Sequence, residues 1–178
     1  AMTMAVFSAF TEGLQLFASF AILLNFPRFN KMKGMGQIVT WSVRDETLHT
    51  ESAIKLFKTF VSENPEVLNP DLEKDIYDAC KAVISHEDAF IDLAFELGGV
   101  QGLEASQVKD YIRYIADLRL TQLGMEKLFH IKEHPLPWMV EMLGGVEHTN
   151  FFEGRATEYS RASTKGSWDE TFKESFGA

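Results

Sequence analysis

The sequence predicts an all-α protein, a partial helical bundle of about four main helices followed by a C-terminal tail. Apolar residues recur at steps of three and four from the start of the chain to Leu123, and no segment alternates apolar and polar residues as a half-buried strand does. Pro27, Pro70 and the Gly98–Gly99 pair punctuate the stripes. With 46% apolar and 24% charged residues over 178 positions, the balance is that of a globular chain able to build one core.

Each element has a local reason. The first apolar run predicts a helix over 3–25 that stops before Pro27, because the residue preceding a proline is pushed out of the helical region. Its rings, Phe7, Phe10, Phe17, Phe20 and Phe26, read as packing. A basic turn follows with Arg28, Lys31 and Lys33 around Gly34 and Gly36, and a second helix is expected over 35–62. The predicted inward stripe is Val39, Val43, Glu46, His49, Ala53, Phe57 and Phe60, which sets two polar donors among core residues.

Asn69 is placed to cap a third helix that Pro70 opens and Gly98–Gly99 closes. Its stripe reads Leu72, Ile76, Ala79, Val83, His86, Phe90, Leu93 and Leu97. A fourth helix over 106–123 is expected to bury Val108, Tyr111, Ile112, Ile115 and Leu118. The run His134-Pro135-Leu136-Pro137-Trp138 predicts a rigid turn. The bundle is expected to reach residue 149; from Asn150 to 178, Ser, Thr, Gly and charged residues replace the stripes, the composition of a flexible tail.

Charge and cysteine content narrow the function classes. A net charge of −9 and the lack of a basic patch argue against nucleic-acid binding. The single cysteine, Cys80, excludes an internal disulfide framework, fits a cytoplasmic setting and reads as a small core filler. The stretch 2–26 is apolar enough to raise a membrane span, but Thr3, Ser8, Thr11, Gln15 and Ser19 interrupt it and Glu12 sits near its middle, where a lone carboxylate is costly in lipid. A core helix is therefore expected. The chain opens inside that apolar run, with no turn before it and no Met at position 1, which suggests a fragment of a longer protein.

Glu46 and His49 stand one helical turn apart, and Glu12 lies about 34 residues upstream on an apolar helix. Buried carboxylates must be paired, protonated or metal-bound. Carboxylate and imidazole donors on facing helices of a bundle are the ligand chemistry of paired iron or manganese ions. A Glu-x-x-His pair by itself is weak evidence; ion pairing of Glu46 or Glu12 with Arg44, beside a hydrogen-bonded core histidine, is the competing reading. Nothing at helical spacing around Glu12 can neutralise it, so its partner is expected on another helix. His86, beside Glu87, is one step out of register for a second pair and reads as a satisfied core or second-layer histidine. His130, His134 and His148 fall at a helix end and in loops, with no ligand role assigned.

Four ordered segments resemble the small, radical-generating subunit of class I ribonucleotide reductase: residues 11–20, Val43-Arg44-Asp45-Glu46-Thr47-Leu48-His49, residues 134–138, and residues 149–159. The resemblance implies a ferritin-like bundle, of which this chain is roughly the C-terminal half. It implies that Glu12, Glu46 and His49 are metal ligands, and that Asp45 hydrogen-bonds a ligand histidine of the other half-site and joins a radical route. Tyr159 would relay the radical to the large subunit, and the last residues, including Trp168, Phe172 and Phe176, would dock there. The intact subunit is expected to be a homodimer carrying two metal ions, iron or manganese and iron. The family's first aspartate ligand, its other Glu-x-x-His helix and its radical-bearing tyrosine have no counterpart here, so the isolated chain is expected to be inactive. Another di-metal carboxylate oxidase on the same scaffold, or a metal-free helical interaction module, are the alternatives.

Overall fold

The computed structural model describes residues 1–144, and these form helices without a named strand. The helices are α1 (Met2–Val6), a π-helical segment (Phe7–Glu12), α2 (Phe17–Arg28), α3 (Lys33–Glu63), a 3-10 turn (Pro65–Val67), α4 (Pro70–Phe95), α5 (Ala105–Leu123) and α6 (Pro137–Gly144). The expected tail, and with it His148, Tyr159, Trp168, Phe172 and Phe176, lies outside the described residues.

The first apolar run and α3 lie against each other, α4 pairs with α5, and α5 reaches both α2 and the π-helical segment. Phe10, Leu14 and Leu24 from the first run, Phe57 from α3, Ile76 from α4, and Ile112 and Leu120 from α5 are almost wholly buried in one core. At about 25 cal/mol per Å² of apolar surface removed from water, side chains of this size stabilise the fold by roughly 1.5–3 kcal/mol each. The segment Met2–Arg28 is long and apolar enough to cross a membrane, yet half of its most apolar window is packed inside the bundle.

Local rules explain most of the element ends. Asn69 Oδ1 accepts the backbone N–H of Leu72 and Pro70 occupies the first turn of α4. Glu104 and Gln107 form a reciprocal capping box at the start of α5, and Gly124 ends it in the left-handed conformation at φ 89°.

The structure departs from the sequence expectations at several places. The first helix is broken: Gln15 N–H bonds to Phe10 O, five residues back, and Leu16 adopts φ 77° before α2 begins. Pro27 lies inside α2, which runs one residue beyond it; the proline gives up one N–H bond near the helix end, and its ring fills the space beside Gly36. The expected stripe holds at Ile76 and then drifts off the interface: His86, Phe90 and Leu93 on α4, and Leu97 just past its end, are exposed, while Cys80, Ile84 and Ile91 are buried. A strict heptad line slips by about 20° per seven residues on a straight helix. His86 is thus a surface residue, whereas Cys80 is the core filler expected. Leu118 on α5 is also exposed, and Asp117 and Arg119 beside it are buried.

The expected rigid turn after α5 instead leads into α6, with Pro137 as its first residue. Two polar anchors hold this region. Asp117, 2% exposed, accepts the N–H groups of Leu128, Phe129 and Ile131 at 2.8–3.0 Å and so organises the loop after α5. Arg28 donates to Asn25 Oδ1 and Gly102 O, and its guanidinium lies 4.4 Å from the ring centroid of Trp138 on α6.

Candidate metal centre

The long helix α3 carries Asp45 and Glu46 side by side and His49 one turn later, i+4 and i+3 from them, which brings His49 to both by helical spacing alone. Glu12 arrives from the other side, as the last residue of the π-helical segment. A π-turn inserts one residue relative to the α-helical count, a phase change of roughly 100°. The break is closed by tight packing. Gly13 follows Glu12, and a Cβ there would lie 2.6 Å from Ala9 O, 2.8 Å from Arg119 Nε and 2.9 Å from Thr50 Cγ2. Only glycine fits that crossing of three elements.

Glu12, Glu46 and His49 each place one donor atom within 4.8 Å of the other two. His49 Nδ1 is 3.6 Å from Glu46 Oε2 and 3.8 Å from Glu12 Oε2, and its Nε2 is 3.7 Å from Asp45 Oδ1. The structure therefore brings together all three ligands expected from sequence and sets Asp45 at their edge. One expectation fails in part: His49 does not lie in the core. Its side chain is 53% exposed while those of Glu46 and Glu12 are about a quarter exposed, because the buried line of α3 runs through Val43, Thr50, Ile54 and Phe57.

The electrostatics suit a cation. Burial, and then the neighbouring Glu12 carboxylate, hold the Glu46 carboxyl above the usual carboxylate range, with His49 pulling in the opposite direction. A positive ion between the two carboxylates would remove the like-charge penalty. Bonds of about 2.0–2.2 Å from one ion put its donors up to roughly 4.3 Å apart, so the 3.6 and 3.8 Å separations fit a shared ion. Two carboxylate oxygens and one imidazole nitrogen suit a first-row divalent ion and leave coordination positions for other ligands.

Sequence reasoning did not single out Gly13, Thr50 or Arg119. Gly13 and Thr50 look ordinary along the chain. Arg119 did carry a signal, as a charge at an apolar phase of α5 between Ile115, Ala116, Leu120 and Leu123. Glu87 is a further partly buried carboxylate, raised above its usual range by burial and by Asp88, and lies on α4 apart from the three-donor cluster.

Comparison with known proteins adds independent information. The family model for "Ribonucleotide reductase, small chain" matches residues 1–135. The chain is 48% identical over 169 residues to the "probable ribonucleoside-diphosphate reductase small subunit 048L" of Invertebrate iridescent virus 3, covering 94% of this chain and 45% of that protein. It is 36% identical over 151 residues to the ribonucleoside-diphosphate reductase subunit beta of Chlamydia pneumoniae, covering 85% and 43%. Among solved structures, a candidate class I ribonucleotide reductase from Bacillus halodurans superposes with a TM-score of 0.72 at 27% identity, over 77% of this chain and 44% of that one. The chain thus spans less than half the length of these relatives.

Proposed function

The chain belongs to the ribonucleotide reductase small-chain family, and on that premise we propose that it forms the metal-holding, C-terminal part of a ribonucleoside-diphosphate reductase small subunit. The observation that carries this reading is the convergence of Glu12, Glu46 and His49 within 4.8 Å inside the matched region.

In this reading Glu46 and His49, from adjacent turns of α3, and Glu12, from the π-helical segment, would together hold an ion. Glu46 gives up the proton that burial and Glu12 favour, so its carboxylate is available to the ion. In the whole subunit two such ions, iron or manganese and iron, would supply oxygen activation and a one-electron oxidant used to reduce ribonucleoside diphosphates. Asp45, whose Oδ1 lies 3.7 Å from His49 Nε2 in this chain, would hydrogen-bond a ligand histidine of the other half-site in the whole subunit and join the radical route. Tyr159 would continue that route to the large subunit, with the segment around Trp168, Phe172 and Phe176 docking there. The subunit would be cytoplasmic and homodimeric. With three donors from this chain, the 178 residues alone would not reduce ribonucleotides.

Titration with manganous and ferrous ions tests the ligand set. Glu46→Ala and His49→Ala are expected to weaken binding of either ion by at least tenfold, and unchanged affinity in both variants would sink the assignment. Deoxyribonucleotide formation by this chain with an added large subunit would refute the inactivity.

A further inference from the structure

We propose that Arg119 is a positioning residue for Glu12: from α5 it fixes the main chain immediately after the ligand and thereby the direction in which Glu12 presents its carboxylate. The inference rests on the reading of Glu12 as a metal ligand.

The π-turn creates the need. Phe17 N–H bonds to Leu14 O, three residues back, so it does not serve the carbonyl of Gly13 as it would in a continuous α-helix. That carbonyl accepts instead from Arg119 Nε at 2.8 Å, across 106 residues of chain. A buried carbonyl left without a donor would destabilise this stretch, and a helix end beside a ligand is a poor place for a loose backbone.

Arg119 is built for the task. It is 3% exposed, its Nη1 donates to Gln122 Oε1 at 2.9 Å, and its guanidinium lies 5.4 Å from the Phe17 ring centroid. These contacts hold the guanidinium through Nη1 and one face, so its Nε keeps one direction. Burial lowers its pKa from the usual arginine value, yet a guanidinium remains charged at neutral pH. Taking so polar a group out of water is costly unless its geometry is used.

The same spot reaches the other ligands. A Cβ on Gly13 would meet Arg119 Nε and Thr50 Cγ2, and Thr50 is the residue after His49. One packing point therefore touches the chain neighbours of Glu12 and of His49. Groups that orient metal ligands typically change affinity by 10–100-fold when removed.

The test is a double-mutant cycle on manganous-ion affinity in the full 178-residue chain. Arg119→Gln is expected to weaken binding by about tenfold, at the lower end of that range, and Arg119→Lys, which keeps a donor, to recover part of the loss. In a Glu12→Ala background Arg119→Gln should change affinity by less than twofold, because the ligand it positions is gone. An equal loss in both backgrounds, or none in the Glu12 background, overturns the positioning role. If Glu12→Ala itself leaves affinity unchanged, the ligand reading fails instead.

A measurement on the unmutated chain guards against variants that fail to fold. Zinc, a diamagnetic probe, should shift the Arg119 Nε–H nuclear magnetic resonance signal and slow its exchange with solvent. A signal unmoved at saturating zinc would overturn the proposal.

Discussion

Replacing Gly13 by Ala sets two physical effects against each other, and their sizes decide the sign. Gly13 sits at φ −93° and ψ −10°, a conformation any residue adopts. Judged by backbone alone, Gly13→Ala should stabilise the protein by about 0.4–1 kcal/mol through loss of unfolded-state freedom. The added methyl, however, would lie 2.6 Å from Ala9 O, 2.8 Å from Arg119 Nε and 2.9 Å from Thr50 Cγ2. Ala9 O is main chain and cannot turn away; Arg119 is held through both Nε and Nη1. Overpacking of this kind costs about 1–3 kcal/mol. Displacing Arg119 also weakens a charge-assisted bond worth about 1.5–3 kcal/mol. The net expectation is a loss of roughly 2–5 kcal/mol, or about 4–20 °C in Tm for a chain of this size. Urea unfolding followed by circular dichroism, with calorimetry for Tm, measures both. A variant as stable as the parent, or more so, would refute the claim that this crossing is closed to a side chain.

Other perturbations follow from single groups. Because Glu46 is held above its usual range, ion binding should release its proton; calorimetric titration in buffers of different ionisation enthalpy should show that release at mildly acidic pH, and affinity should fall as pH is lowered. Cys80, fully buried and pushed up to about 12, should resist alkylation at pH 8 until the protein unfolds. Since the unfolded thiol ionises near 9.0, that group leaves stability unaffected below pH 9 and lowers it as pH rises toward 12, which Cys80→Ala should abolish in a pH series of unfolding curves. Asp117→Asn keeps an oxygen for Leu128 and Phe129 but turns an amide toward Ile131 N–H, so a loss of about 2–3 kcal/mol and faster exchange of the Ile131 amide are expected.

The long helices and three donors were legible in the residues because both depend on short-range spacing. Glu46 and His49 align by one helical turn whatever surrounds them, Asn69 and Pro70 mark the start of α4, and the unneutralised Glu12 demanded a partner from elsewhere. Chain spacing could not say which partner, nor where along the first run the helix would yield. At the π-turn before Gly13, Ala9, Thr50 and Arg119 meet from three segments, and the last lies 106 residues away. Likewise the exposure of His49, the surface position of His86 and the burial of Asp117 and Arg119 follow from where helices drift apart or close up. Local propensity acts over a few residues, whereas the match of surfaces between helices is settled only when they pack. Residue order supplies the three donors, and packing between helices sets how the break after Glu12 aims one of them at the other two.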